Sequence, residues 1–174
     1  INNTTSLEYA INPDFSQVEA DVTQIAINNT FAIQYPERRP YFNEGNDLIQ
    51  SNLETVYTRS INKPIFSTKL INQGKRQRYY WLTALDENSP YLVAGENESY
   101  FGQGGSSFAN IFRYQRNFQG GSNLGFLTTN RFYKGGGQGN TFSVDGLFRV
   151  RKSYTVGFEL NGTSIIEPNA DWID

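Results

Sequence analysis

Glu37, Arg38, Arg39 and Glu44 form the one concentrated charge group in this chain. They sit in Pro36-Glu37-Arg38-Arg39-Pro40 and the Tyr41-Phe42-Asn43-Glu44-Gly45 that follows. Two acids and two guanidiniums at a proline-bracketed turn can make a lumen-facing constriction or docking site, since charge rings set what a pore admits. They can also make an ion-paired turn that closes the end of a strand. The second reading is favoured, because most turn and surface charges are structural or merely solvated.

Other reactive chemistry is thinly supplied. The chain contains no His and no Cys, which removes the commonest general base, the commonest transition-metal ligand, disulfides and thiolate sites. Asp14, Glu19, Asp21, Asp86, Glu87, Asn88 and Glu96 offer oxygen ligands of the kind Ca²⁺ takes, but no segment has EF-hand spacing. Nothing selects a carboxylate pair of the kind glycoside hydrolysis needs. Gly104-Gly105 and Gly135-Gly136-Gly137 lack the Lys-Ser/Thr and helix start of a phosphate loop, so they read as turns. No catalytic, metal or cofactor residue is assigned, no cofactor is expected, and the chain is expected to be non-enzymatic.

The aromatic residues are more informative. There are 13 Phe and 11 Tyr, and aromatics make up 15% of the chain. Tyr79, Tyr80, Trp81, Phe132, Tyr133 and Tyr154 gather near the ends of predicted strands, where they would form the girdle that sits at lipid headgroup level. Tyr80, Trp81, Tyr91 and Tyr100 also have rings able to stack on sugars. For Tyr80 and Trp81 the girdle is the favoured reading.

The elements that carry these groups are strands. The longest stretch with strict alternation is Val22 to Tyr35. Ile25, Ile27, Phe31, Ile33 and Tyr35 alternate there with Gln24, Ala26, Asn28, Thr30, Ala32 and Gln34, the period of a two-faced strand. Leu7, Tyr9 and Ile11 predict a short strand, Asn46 to Asn52 a loop or one helical turn, and Glu54 to Ser60 a further strand. Ile65 to Ile71 and Arg78 to Leu85 pair across Asn72-Gln73-Gly74. Residues 86–107 read as a long surface loop. Phe108 to Phe118 pairs with Asn123 to Tyr133, and residues 141–151 pair with Tyr154 to Leu160, which continues to Ile166. Residues 169–174 read as another loop.

Strand and turn formers with little helical material make an all-β chain in one domain over residues 1–174, with no second domain. In the last hairpin Phe142, Val144, Phe148, Val150, Val156 and Phe158 share one face, while Asp145, Arg149 and Glu159 share the other. Strands of about ten residues, short turns alternating with longer loops, and aromatics at strand ends point to an antiparallel transmembrane β-barrel with the apolar face on lipid. About eight strands fall within the chain. A soluble β-sandwich that binds glycans is the alternative. The formal charge of −2 gives no attraction to nucleic acid.

The stretches NPDFSQVEADVTQI and FAIQYPERRPYFNEG closely resemble the start of the barrel in a family of bacterial outer-membrane proteins. That family has no settled function, and its members often carry a family-9-like carbohydrate-binding domain ahead of the barrel. The resemblance continues through Thr55-Val-Tyr-Thr-Arg-Ser-Ile61 and Leu82-Thr-Ala-Leu-Asp-Glu87. The chain departs from the family pattern at Gln34, Tyr41 and Asn43, usually more hydrophobic, and at Ser60, where a second Arg is common. The resemblance implies a location in the bacterial outer membrane and a larger barrel of which this chain is the N-terminal part. It implies a pore, transporter or scaffold of a surface complex. The expected partners are outer-membrane lipid, other outer-membrane or surface proteins, and glycans bound by a domain outside these residues.

Overall fold

The computed structural model describes residues 4–15, 36–94, 99–151 and 153–166. The predicted strand Val22–Tyr35 and the loop at 169–174 lie outside the described residues. Within them the chain is all-β. Seven strands form one antiparallel sheet in the order β1-β2-β3-β6-β7-β8-β9. They are β1 (Thr5–Ile11), β2 (Pro64–Gln73), β3 (Gln77–Asp86), β6 (Ser107–Asn117), β7 (Asn123–Tyr133), β8 (Gln138–Val150) and β9 (Tyr154–Ile166). A separate hairpin pairs β4 (Pro90–Ala94) with β5 (Ser99–Gln103). The sheet is not closed: among the described residues β1 and β9 are its two edges.

Alternation sets the two faces. Leu7, Leu70, Trp81, Phe112, Thr128 and Phe142 lie in one cross-strand row. One residue along, Ser6, Ile71, Tyr80, Arg113, Leu127 and Ser143 form a row on the opposite face. Strand residues point alternately up and down, so these two rows see different environments. Strands β6 to β9 match the sequence reading to within a few residues at each end.

The long connection from β1 to β2 folds back over one face as a cap. It contains two helical turns, α1 (Pro40–Asn43) and α2 (Asn46–Ile49), and a 3-10 turn at Thr58–Ser60. Pro40 starts α1, where its fixed φ suits a helix and its missing N–H costs nothing. Phe42, Leu48, Ile49 and Ile61 of the cap pack on Ile71, Tyr80, Leu82, Ala84, Ala109, Ile111 and Leu127 of the sheet. Complete burial of a side chain such as Phe42 or Ile49 stabilises by about 1.5–3 kcal/mol. Between α1 and α2, Gly45 has φ +76, and a Cβ there would come within 2.6 Å of Ile71 Cδ1. Only glycine lets the turn lie this close to the sheet.

Three expectations change. Glu54 to Ser60 is not a strand: the segment runs irregularly into the 3-10 turn, because its carbonyls are held by the cap instead of a ladder. Residues 86–107 are not a plain loop, since the β4–β5 hairpin lies inside them. Tyr79, Tyr80 and Trp81 do not act as one cluster. Tyr80 is wholly buried under the cap, whereas Trp81 is 48% exposed on the opposite face.

Candidate functional site

Polar clusters knit the cap together and fasten it to the sheet. In the first, the Arg39 guanidinium lies flat against the Glu37 carboxylate: Nε donates to Oε1 at 2.9 Å and Nη2 to Oε2 at 2.8 Å. Its remaining donors reach Ile61 O at 2.6 Å and Thr58 O at 3.0 Å. Thr58 Oγ1 completes the carboxylate's shell at 2.7 Å, and Arg39 sits 4.1 Å above the Phe42 ring. Both charges are almost fully buried. Burial alone would raise the Glu37 carboxyl, but Arg39 and Thr58 outweigh it and hold it below the ordinary carboxylate value.

The other two members of the predicted charge group go elsewhere. Arg38 is exposed. Glu44 joins a second anchor around Lys69, which is fully buried in β2. Lys69 Nζ meets Glu8 Oε2 at 3.0 Å, Tyr41 O at 2.5 Å, Glu44 O at 3.3 Å and Glu44 Oε2 at 3.9 Å. A hydrogen bond between the carboxyl groups of Glu44 and Glu8 raises Glu44 above its ordinary value, because it forms only while one of them keeps its proton. The structure therefore joins Glu37 to Arg39, and separates both from Glu44.

The two anchors respond oppositely to acid. Glu37 is depressed in the fold, so its contribution is present above the unfolded carboxylate pKa and is lost as pH falls through its lowered value. Glu44 is raised, so the fold binds the extra proton and its junction strengthens as pH falls toward the unfolded value. Hydrogen exchange across residues 36–61 measures this. In Glu37→Gln the acid-side loss of protection around Arg39 should disappear. In Glu44→Gln the gain of protection around Tyr41 on acidification should disappear.

The sequence reading offered Asp86 as an oxygen ligand and put Asp145 on the polar face, but found no partner for either, and it did not single out Arg113 or Arg131. Asp86, at the end of β3 and 1% exposed, accepts from Asn62 N at 2.8 Å, Lys63 N at 2.7 Å and Ser89 Oγ at 3.0 Å. It is a structural hub, and its oxygens are committed. Arg131 of β7 approaches it at 3.7 Å and donates to Ser60 O at 2.9 Å. Arg113 of β6 pairs with Asp145 of β8, with Nη2 to Oδ2 at 2.9 Å. To do so it crosses Gly125 on β7, where a Cβ would lie 2.5 Å from the guanidinium. The available signal was an isolated charge within a strand, on the face opposite the apolar one. Among the described residues, no group of three or more acids is placed to hold a metal ion.

The cap bears an open cleft of about 510 Å³, lined by residues from Pro36 and Glu37, α1, α2 and residues 50–59. Asn43, Asn46, Gln50, Glu54, Tyr57 and Arg59 are among its lining residues. No helix among the described residues is long and apolar enough to cross a membrane, which leaves strands unaddressed.

The face opposite the cap is apolar across all seven strands. Trp81, Phe126, Phe132, Phe142, Tyr154 and Leu160 are exposed on it. Arg116, beside the turn at 119–121, is its one charged residue among the described strands. Of the predicted girdle, Trp81, Phe132 and Tyr154 lie on this face, while Tyr80 and Tyr133 lie on the capped one. Tyr79 shares the row of Tyr114, Phe126 and Val144 on the apolar face. A chain of amides crosses it near the loop ends of the strands. Trp81 Nε1 donates to Asn110 Oδ1 at 2.8 Å, Asn110 to Asn130 at 3.3 Å, and Asn130 to Asn140 at 2.9 Å.

These features define an antiparallel sheet with one capped, charged face and one bare, apolar face. Residues 1–84 match a domain of unknown function, DUF5916. The match takes in β1, the cap, β2 and most of β3, and ends before β6–β9. Neither the curated proteins nor the solved structures contain a match to the chain.

Proposed function

We propose that this chain is wall and interior of an outer-membrane β-barrel, non-enzymatic, acting as a pore, transporter or scaffold of a surface complex. The observation that carries this reading is the uncovered apolar face. A monomer in water tolerates exposed apolar patches of only a few hundred Å², and here such residues run from Leu7 to Ile166 across every strand of the sheet. In hydrocarbon the same face is at its lowest free energy. A sandwich would need a second sheet against it, and the other sheet described has two strands.

Further features agree with that reading. Strands β2, β3 and β6 to β9 are 10 to 13 residues long, against the ~9–11 that span a bilayer obliquely. The amide chain pairs each of its three Oδ1 acceptors with a donor from the neighbouring strand. It lies toward the ends joined by the β4–β5 excursion and the 134–137 turn, where a headgroup boundary belongs. The bare edges β1 and β9 require further strands, because unpaired N–H and C=O groups cost several kcal/mol each in lipid. The cap fills part of the interior, which favours a gated or scaffolding role over an open channel.

Nitroxide labels at Val156 and Thr155 test the assignment. The two are adjacent in β9 and point to opposite faces. Val156 should be relaxed by oxygen, which partitions into lipid, and Thr155 by a water-soluble nickel chelate. Equal access of both reagents to both sites overturns the reading, as does recovery of folded protein in the soluble fraction without detergent.

A further inference from the structure

Three hairpin turns meet at one end of the sheet: 74–76 between β2 and β3, 118–122 between β6 and β7, and the turn after Val150 between β8 and β9. They form one rim. Asn117 donates through its N–H to Arg76 O at 2.9 Å and through Nδ2 to Lys75 O at 3.2 Å, which ties the first turn to the second. The Arg149 N–H donates to Ser122 Oγ at 3.0 Å, and a Cβ on Gly121 would lie 3.4 Å from Arg149 Nη1, which ties the second to the third.

This rim is cationic. From the row Gln77, Arg116, Leu124, Gly146 and Phe158 outward, the described strands and turns carry Lys75, Arg76, Arg116, Arg149 and Arg151 and no acid. All five are exposed, and none is in an ion pair among the described residues. The acids just inside the row are engaged: Asp145 by Arg113, Asp47 by Arg78, and Glu159 by the Asn52 N–H at 2.9 Å. Like charges gathered in one rim repel each other, a cost that an anion lying against them removes.

Arg116 narrows what that anion is. It is the one charged residue on the bare apolar face among the described strands. Its guanidinium lies 5.9 Å from the centre of the Phe118 ring, and Phe118 and Tyr154 are exposed at the same end. Long basic side chains at the end of a membrane-spanning element reach out to the headgroup layer, and the guanidinium fork matches a phosphate with two hydrogen bonds. An acidic protein or a free phosphate ion would come to the rim from water and would leave a cation on the apolar wall unexplained. A zwitterionic headgroup brings its own cation, which the rim repels; a headgroup of net negative charge brings none.

We propose that the rim formed by these three turns binds anionic phospholipids, with its five cations holding the headgroup phosphates of the leaflet that the short turns enter. The inference rests on the outer-membrane reading and adds to it which lipid is held and at which end.

The test uses the full-length protein in phosphatidylcholine bilayers, with a trace of phosphatidylglycerol or phosphatidylcholine spin-labelled near the end of one acyl chain. Electron spin resonance separates label immobilised against the protein from label in free bilayer. Phosphatidylglycerol should be immobilised in preference, with a relative association constant of about two or more. In about 1 M salt, where the Debye length is about 3 Å, the preference should vanish. It should vanish likewise in Lys75→Gln/Arg76→Gln/Arg116→Gln/Arg149→Gln/Arg151→Gln, with heat-modifiable migration unchanged, and survive in Lys63→Gln/Lys134→Gln at the opposite end. The salt arm on the parent protein decides the matter if the quintuple variant assembles poorly. Immobilised lipid without a preference for phosphatidylglycerol overturns this inference alone and leaves the outer-membrane reading standing. A preference that persists in the quintuple variant, or is lost with Lys63 and Lys134, overturns it too. Immobilised lipid of neither kind removes both.

Discussion

Arg39→Ala should loosen the cap from within, at a cost of about 3–5 kcal/mol, the range for breaking one side of a buried ion pair. The substitution strips Glu37 of both guanidinium contacts and leaves the Ile61 and Thr58 carbonyls without their donor. A carboxylate then lies in a site built to exclude water. Arg39→Lys should recover little, because a single ammonium cannot span both carboxylate oxygens and two carbonyls in the plane that the guanidinium occupies. The ring of Phe42 would also lose the flat cation stacked 4.1 Å above it. Glu37→Ala/Arg39→Ala should be less damaging than the sum of the single changes, since removing both leaves no unpaired buried charge. Hydrogen exchange of residues 36–61 and the denaturation midpoint of the four proteins measure the coupling. Strictly additive losses would show that Glu37 and Arg39 act independently.

The strands were legible because alternation is local. β6 and β7 pair as the sequence implied, Phe108 opposite Phe132 and Leu124 opposite Arg116, since a two-faced pattern and a glycine turn fix register together. The division of the last hairpin into Phe142, Val144 and Phe148 on one face and Asp145 and Glu159 on the other followed from the same period. What escaped were contacts that need register across several strands. Arg113 and Asp145 are two strands apart, and they meet only because Gly125 between them has no side chain. In the sequence each is a solitary charge indistinguishable from a solvated one. Val56-Tyr57-Thr58 has strong strand propensity, yet Arg39 and Glu37 hold Thr58 by its carbonyl and hydroxyl, so tertiary contacts override the local preference. Tyr80 shows the same limit: three adjacent aromatics look like one belt until the pleat sends the middle one to the other side. The charge group at 37–44 was visible as a group, but its division into two anchors depends on Lys69, far along the chain and unremarkable by itself.

Val144→Arg and Thr141→Arg should differ sharply, although three residues separate them on one strand. Val144 is exposed near the middle of β8, in a row with Phe126 and Leu160. Thr141 points to the capped side, between Thr129 and Thr163. If the bare face meets lipid, a guanidinium at position 144 enters hydrocarbon close to the midplane, at a cost of about 2–4 kcal/mol. At 141 the same group meets a polar row with room to reach water, and the change should stay within about 0.5 kcal/mol. Assembly in detergent micelles, followed by heat-modifiable migration, reports the folded fraction of each variant. Val144→Arg should fold poorly and Thr141→Arg like the parent. In water the ordering would reverse, because an added charge on a bare apolar face relieves exposure instead of creating it. Normal folding of Val144→Arg together with a gain in solubility would therefore remove lipid as the partner of this face. The seven-stranded sheet would then need a protein surface to cover it.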